Sequence, residues 1–245
     1  MVGVKNRLRM LFEIRSENRN LLRNNYRDAT KDREGKCSAS LIGDLRFFAV
    51  AEFVLHRDAE KFRSQLKEAA EIRKRVFERI DAGEPIDSSY NSILAYRDVL
   101  NALAARDFYN ANSLANRVLL TPVRTDVHEF DEAFGRALCL IVTGAGEAQA
   151  YVDAFRMQCG FEDKDLCGYA EFFSAILCKN TDDANRALTK VILGHNRQSR
   201  ANGIFENTED EALCVWAIGV ANLAKHHGVE VVSPDEALVP TELLA

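Results

Sequence analysis

The chain has 245 residues, 47% of them hydrophobic, and its 32 Lys and Arg against 37 Asp and Glu leave a net charge of −5. That hydrophobic content excludes a disordered polymer, and the length is enough for one large domain with its own core. Only 4 prolines and 13 glycines punctuate it, which fits long helices with few turns and argues against a sandwich or barrel.

Met1 to Arg15 alternates basic and apolar residues and lacks the uninterrupted apolar run of a secretory signal. No stretch has the apolar length of a membrane span. A cytoplasmic protein is the expectation. Residues 4–33 read as one or two basic helices, with Leu8, Leu11, Phe12, Leu21, Leu22 and Tyr26 on the apolar side, and Gly35 breaks them.

From there a helical template recurs, apolar at i, i+3, i+4, i+7 and i+8. It begins at Phe47, Tyr96, Phe134 and Ala170, and a second copy follows each start, at Phe62, Ala111, Ala148 and Ala184. Each unit reads as helix, short turn, helix. The turns are expected at His56-Arg57-Asp58, Arg106-Asp107, Thr143-Gly144-Ala145-Gly146 and Lys179-Asn180-Thr181. Asp87 or Ser88 is expected to cap the second unit, and Asp163 or Asp165 to introduce the fourth. Thr208-Glu209-Asp210-Glu211 has the pattern of a capping box opening a fifth helix, buried nearly all round, which carries Trp216 and is closed by Gly228. Pro234 and Pro240 keep the tail from helix.

Hairpins of this kind bury their stripes by stacking. The expected fold is therefore all-α: a basic N-terminal cap over residues 1–35, four stacked hairpins over 36–206, and a buried helix with a tail over 207–245. Successive first helices are unequally spaced, and the Trp, Gly and Tyr signature of tetratricopeptide repeats is absent, so the array reads as degenerate.

Motifs that carry chemistry are sparse. Gly144-Ala145-Gly146 lacks the third glycine and the preceding strand of a dinucleotide loop. His128-Glu129-Phe130-Asp131-Glu132 has Glu where a zinc helix needs its second His, so an acidic helix start is the simpler reading. Asp163, Asp165, Asp182 and Asp183 could hold a cation, but helix starts account for them. The six cysteines form no C-x-x-C pair and read as reduced core thiols. Among the five histidines, His195 is the one in a polar connection. No catalytic residue, metal ligand or cofactor is assigned.

Charge is divided unevenly. Met1 to Arg124 holds 23 basic and 17 acidic residues, and Thr125 to Ala245 holds 9 and 20. The basic N-terminus could meet nucleic acid phosphates, but a solvated face, or one packed on the acidic half, is preferred. The acidic half suits a basic protein partner. Its densest runs are Asp182 with Asp183, and Glu206 with Glu209 and Asp210, and these five are the candidate partner-binding residues.

A polar stretch with His195, Arg197 and Arg200 is followed by the acidic helix start and a long apolar helix. That helix ends Leu223-Ala224-Lys225-His226-His227-Gly228-Val229-Glu230-Val231, and the tail ends Val239-Pro240-Thr241-Glu242-Leu243-Leu244. Over these fifty or so residues the chain resembles the immunity 49 family of bacterial polymorphic toxin systems. The resemblance implies a non-enzymatic cytoplasmic protein that binds a cognate toxin domain and blocks it, with no catalytic residue to transfer. A helical-repeat adaptor that binds a peptide or another protein in its groove remains an alternative, as does an all-α enzyme or nucleic-acid binder acting through the basic N-terminus.

Overall fold

The computed structural model describes residues 2–159, 164–200 and 202–245. Among these the fold is all-α, with ten α-helices, short 3-10 turns and no strand. The helices are α1 (Val2–Arg27), α2 (Lys36–His56), α3 (Ala59–Asp81), α4 (Tyr96–Ala104), α5 (Phe108–Leu119), α6 (Glu129–Thr143), α7 (Ala148–Gln158), α8 (Gly168–Leu177), α9 (Thr181–Gln198) and α10 (Val215–His226). The pairs α2/α3, α4/α5, α6/α7 and α8/α9 pack as hairpins, and α1 lies on α2.

Three of the hairpin turns use one local device. Arg57, Arg106 and Lys179 adopt left-handed backbone, with φ of 57°, 60° and 51°. Each precedes an Asx residue whose side chain accepts the backbone N–H three residues on: Asp58 from Lys61, Asp107 from Asn110 and Asn180 from Asp183, at 2.9 to 3.1 Å. The left-handed residue ends one helix and the Asx cap starts the next, so two residues reverse the chain. The third hairpin has Gly144 at φ 68° instead.

Other starts differ from expectation. Asp87 does cap, but it caps a 3-10 turn, Ser88–Tyr90; a second turn opened by Ser92 intervenes before α4. Asp163 lies outside the described residues, and Asp165 sits in a 3-10 turn ahead of α8. The expected capping box does not form. The Thr208 hydroxyl donates to the Phe205 carbonyl, and the segment Glu209–Glu211 is a 3-10 turn, with α10 beginning only at Val215. Glu211 is drawn elsewhere: it accepts the Arg7 guanidinium at 2.6 Å and the Asn207 N–H at 3.1 Å.

The N-terminal segment is one helix. Leu8 is buried against Phe47, Phe48 and Ala51, and Phe12 meets Phe48 edge-on at 5.3 Å. Arg15 and Arg19 lie over the rings of Phe47 and Phe48. Leu21, expected on the apolar side, instead shares the solvent face with Met10 and Ile14. Three of the seven basic residues of α1 are ion-paired, Arg7 with Glu211, Arg15 with Asp44 and Arg23 with Glu68, whereas Lys5, Arg9 and Arg27 are exposed.

The decisive tertiary feature is the placement of α10. Every residue from Val215 to Ala224 is buried. The helix lies along α4, which it approaches closely at Gly219: a Cβ there would sit 2.8 Å from the Leu100 carbonyl oxygen. Trp216 meets Tyr96 of α4, Phe134 of α6 and Tyr169 of α8, with ring centroids 5.5 to 6.2 Å apart. Thus α10 packs on the first helices of the second, third and fourth hairpins. Cys139, Cys159 and Cys214 are core residues as expected, whereas Cys178 is exposed and Cys37 and Cys167 are half-buried.

Candidate functional site

The N-terminal ends of α4, α6 and α10 converge beside the segment 204–210, and between them lies a cavity of about 400 Å³. Its apolar wall is Phe130, Ile204, Phe205 and Trp216; its charged residues are Arg46, Arg97, Asp131, Glu209 and Asp210, with His128 and Gln198 at the margin. The chain reaches this point from five helices, so the site exists only in the folded protein.

The charges are layered. Arg97 binds Asp131 at 3.2 Å, and the Tyr96 hydroxyl donates to the same carboxylate at 2.7 Å. The Arg97 guanidinium also lies over the Trp216 ring at 5.9 Å. Arg46 serves two acids. It donates to Asp210, and its Nε stands 3.8 Å from Glu209. Burial pushes the Glu209 carboxyl above the usual carboxylate range, and the neighbouring Asp210 pushes it further, against the pull of Arg46. His128 caps α6 by accepting the Phe130 N–H on Nδ1 at 3.2 Å, and Glu129, Asp131 and Glu132 fill the first turn, as an acidic helix start.

The five residues singled out from sequence do not form one surface. Asp182 and Asp183 are at the start of α9, whereas Gln198, at its other end, borders the cavity; the two points are about 24 Å apart along the helix. Asp182 is exposed, and Asp183 accepts from Asn180 and pairs with Arg186. Glu206 is half-buried and accepts the Asn202 N–H at 2.6 Å. Asp210 is only 5% exposed and bound to Arg46, so it is not available to an outside surface in the way its position in an acidic run suggested. Glu209 is half-buried at the cavity edge.

Arg46, Arg97, Asp131 and Trp216 carried no signal in sequence as a group, because they are separated by 34 to 170 residues and meet only through helix packing. His195, the histidine set apart by its polar surroundings, is instead 1% exposed, inside α9, and tilted against the Phe205 ring at 4.6 Å. Among the described residues no helix is long and apolar enough to cross a membrane. Comparison with family models, curated proteins and solved structures finds no match to this chain.

Proposed function

We propose that this chain is a non-catalytic immunity protein that binds a cognate bacterial toxin domain in the cytoplasm and neutralises it by occlusion. The resemblance of residues 195–244 to the immunity 49 family motivates the reading. The observation that carries it is how the two unequal charge pools are used. Some basic side chains of the N-terminal half are held in internal pairs: Arg7, Arg15, Arg46, Arg73 and Arg79 meet carboxylates at part-buried positions, while Lys5, Arg9, Arg27 and Arg33 face outward. The acidic surplus of the C-terminal half faces outward, at Glu129, Glu147, Asp153, Asp182, Glu230 and Glu236 among others. An outward acidic field attracts a basic protein and repels nucleic acid.

The test is co-expression with the product of a neighbouring toxin gene. Growth rescue and a stable complex on gel filtration are expected. The charge-reversed variant Asp182→Lys with Glu230→Lys should associate more slowly at low salt and lose most of that difference at high salt. Absence of both rescue and complex with a folded chain sinks the proposal.

A further inference from the structure

We infer that the outer face of α1 docks a protein surface that is basic around an apolar centre. The identity of that partner as a toxin domain rests on the function proposed above; its chemistry comes from α1 alone. The inner face of α1 buries Leu8 and packs Phe12 and Leu22 onto α2 and α3. On the opposite face Met10, Ile14 and Leu21 are 54, 53 and 58% exposed. Single exposed apolar side chains are ordinary, but three along one stripe of one helix need a reason. At about 100° per residue, these three fall with Glu13 and Glu17 in a sector of about 100°.

A second observation is how α1 sorts its charges. The helix carries seven bases and two acids. Both acids, Glu13 and Glu17, stand in the apolar sector, exposed, and neither is ion-paired among the described residues. All seven bases lie outside it. Arg15, Arg19 and Arg23 turn toward α2 and α3, and Arg7 turns toward Glu211. Lys5, Arg9 and Arg27 are exposed beyond its edge. A helix with a net charge of +5, seven bases less two acids, thus shows solvent an apolar stripe whose own charges are negative. Solvation alone does not require that separation, because a base on the stripe would be hydrated equally well.

The charge selects the occupant. An anionic membrane or a nucleic acid is repelled by carboxylates set among the apolar side chains. A second copy of the chain would bring two Glu13 and two Glu17 into one seam without a cation between them. A protein with Lys or Arg around an apolar centre pairs both acids and covers Met10, Ile14 and Leu21 at once.

The test uses the full chain, with a fluorescently labelled synthetic amphipathic helix of leucine and lysine as the probe. Wild type should give a saturable rise in anisotropy at physiological salt. The triple variant Met10→Ser, Ile14→Ser, Leu21→Ser leaves the inner face of α1 intact and should weaken binding about tenfold, with helix content unchanged by circular dichroism. Glu13→Lys with Glu17→Lys should slow association at low salt and lose most of that difference at high salt. Met157→Ser, at a more exposed methionine on α7, should change nothing. The same variants are then tested against the product of the neighbouring toxin gene. A toxin complex that keeps its affinity in the triple variant overturns the docking face and leaves the proposed function standing. No toxin complex, with peptide binding as expected, sinks the proposed function and not the face. Absence of saturable peptide binding by wild type, or equal affinity in the triple variant, would overturn the inference. So would a wild-type dimer in sedimentation that the triple variant breaks, or binding to phosphatidylserine vesicles that the same variant abolishes.

Discussion

Asn222 of α10 joins the end of the chain to its middle through Ala245. The Asn222 Oδ1 accepts the Ala245 backbone N–H at 2.7 Å, while Nδ2 donates to the carbonyls of Leu103 and Leu243 at 3.1 and 3.2 Å. The side chain is fully buried. It closes α4, α10 and the tail into one unit, and its amide must point one way because one atom faces donors and the other acceptors. Asn222→Leu keeps the volume and leaves three backbone groups unpaired. We expect a loss of roughly 2–3 kcal/mol, read as a fall in the urea midpoint, with the tail cut earlier by protease. A midpoint equal to wild type would show that the tail contributes nothing to the fold.

Trp216 stands at the centre of an aromatic cluster with Tyr96, Phe134, Tyr169 and Phe205. Trp216→Ala should cost roughly 3–5 kcal/mol by lost burial and a cavity, and Trp216→Phe clearly less. Equilibrium denaturation followed by circular dichroism measures both. If both variants unfold at the wild-type midpoint, α10 is not part of the core.

Two glycines in helices should respond in opposite directions. At Gly219 an added Cβ meets the Leu100 carbonyl oxygen at 2.8 Å, so Gly219→Ala must push α10 away from α4, at a cost of about 1–3 kcal/mol. At Gly43, in the exposed part of α2, nothing lies within 4 Å of such a Cβ. Gly43→Ala should stabilise by about 0.5–1 kcal/mol through helix propensity alone. Thermal melts of the pair suffice, and a shift of the same sign in both would refute the packing described for α10.

His195 makes the fold sensitive to acid. Burial pushes its imidazole down to about 4 from an ordinary 6.5, outweighing the opposing pull of the Asp210 backbone and Asp235. The unfolded chain therefore takes up a proton that the folded one refuses. The associated stability is complete above about pH 6.5 and falls through the window down to about pH 4, where roughly 3 kcal/mol is gone. His195→Phe should flatten this window. At pH 7 it should be close to neutral, since it replaces a buried neutral imidazole by an apolar ring. The check is urea unfolding of both proteins from pH 7 to pH 4; parallel curves would show that His195 is not the titrating group.

The helices and their turns were readable in the sequence because the interactions that set them are local. An apolar stripe repeats every three to four residues, and a cap such as Asp58 acts on Lys61, three residues away. That local logic placed the turns between α2 and α3, α4 and α5, and α8 and α9, and it failed at the start of α10, where a distant partner competed. Glu211 has the spacing of a capping box, yet Arg7, 204 residues earlier, captures its carboxylate. Leu21 has the hydrophobicity of a core residue, yet α2 meets the other face of α1. An acidic run, Glu209 with Asp210, reads alike in sequence whether it faces water or Arg46, because desolvation and ion pairing depend on which helix lies opposite. The same holds for α10. Its all-round hydrophobicity announced burial, but its seat against α4, α6 and α8 depends on the close approach at Gly219 and on side chains from three other helices. The sequence by itself determined which segments are helical and which residues must leave water. Only the tertiary structure decided which of them meet, because burial is a demand that many partners can satisfy, whereas shape and charge at each contact admit one.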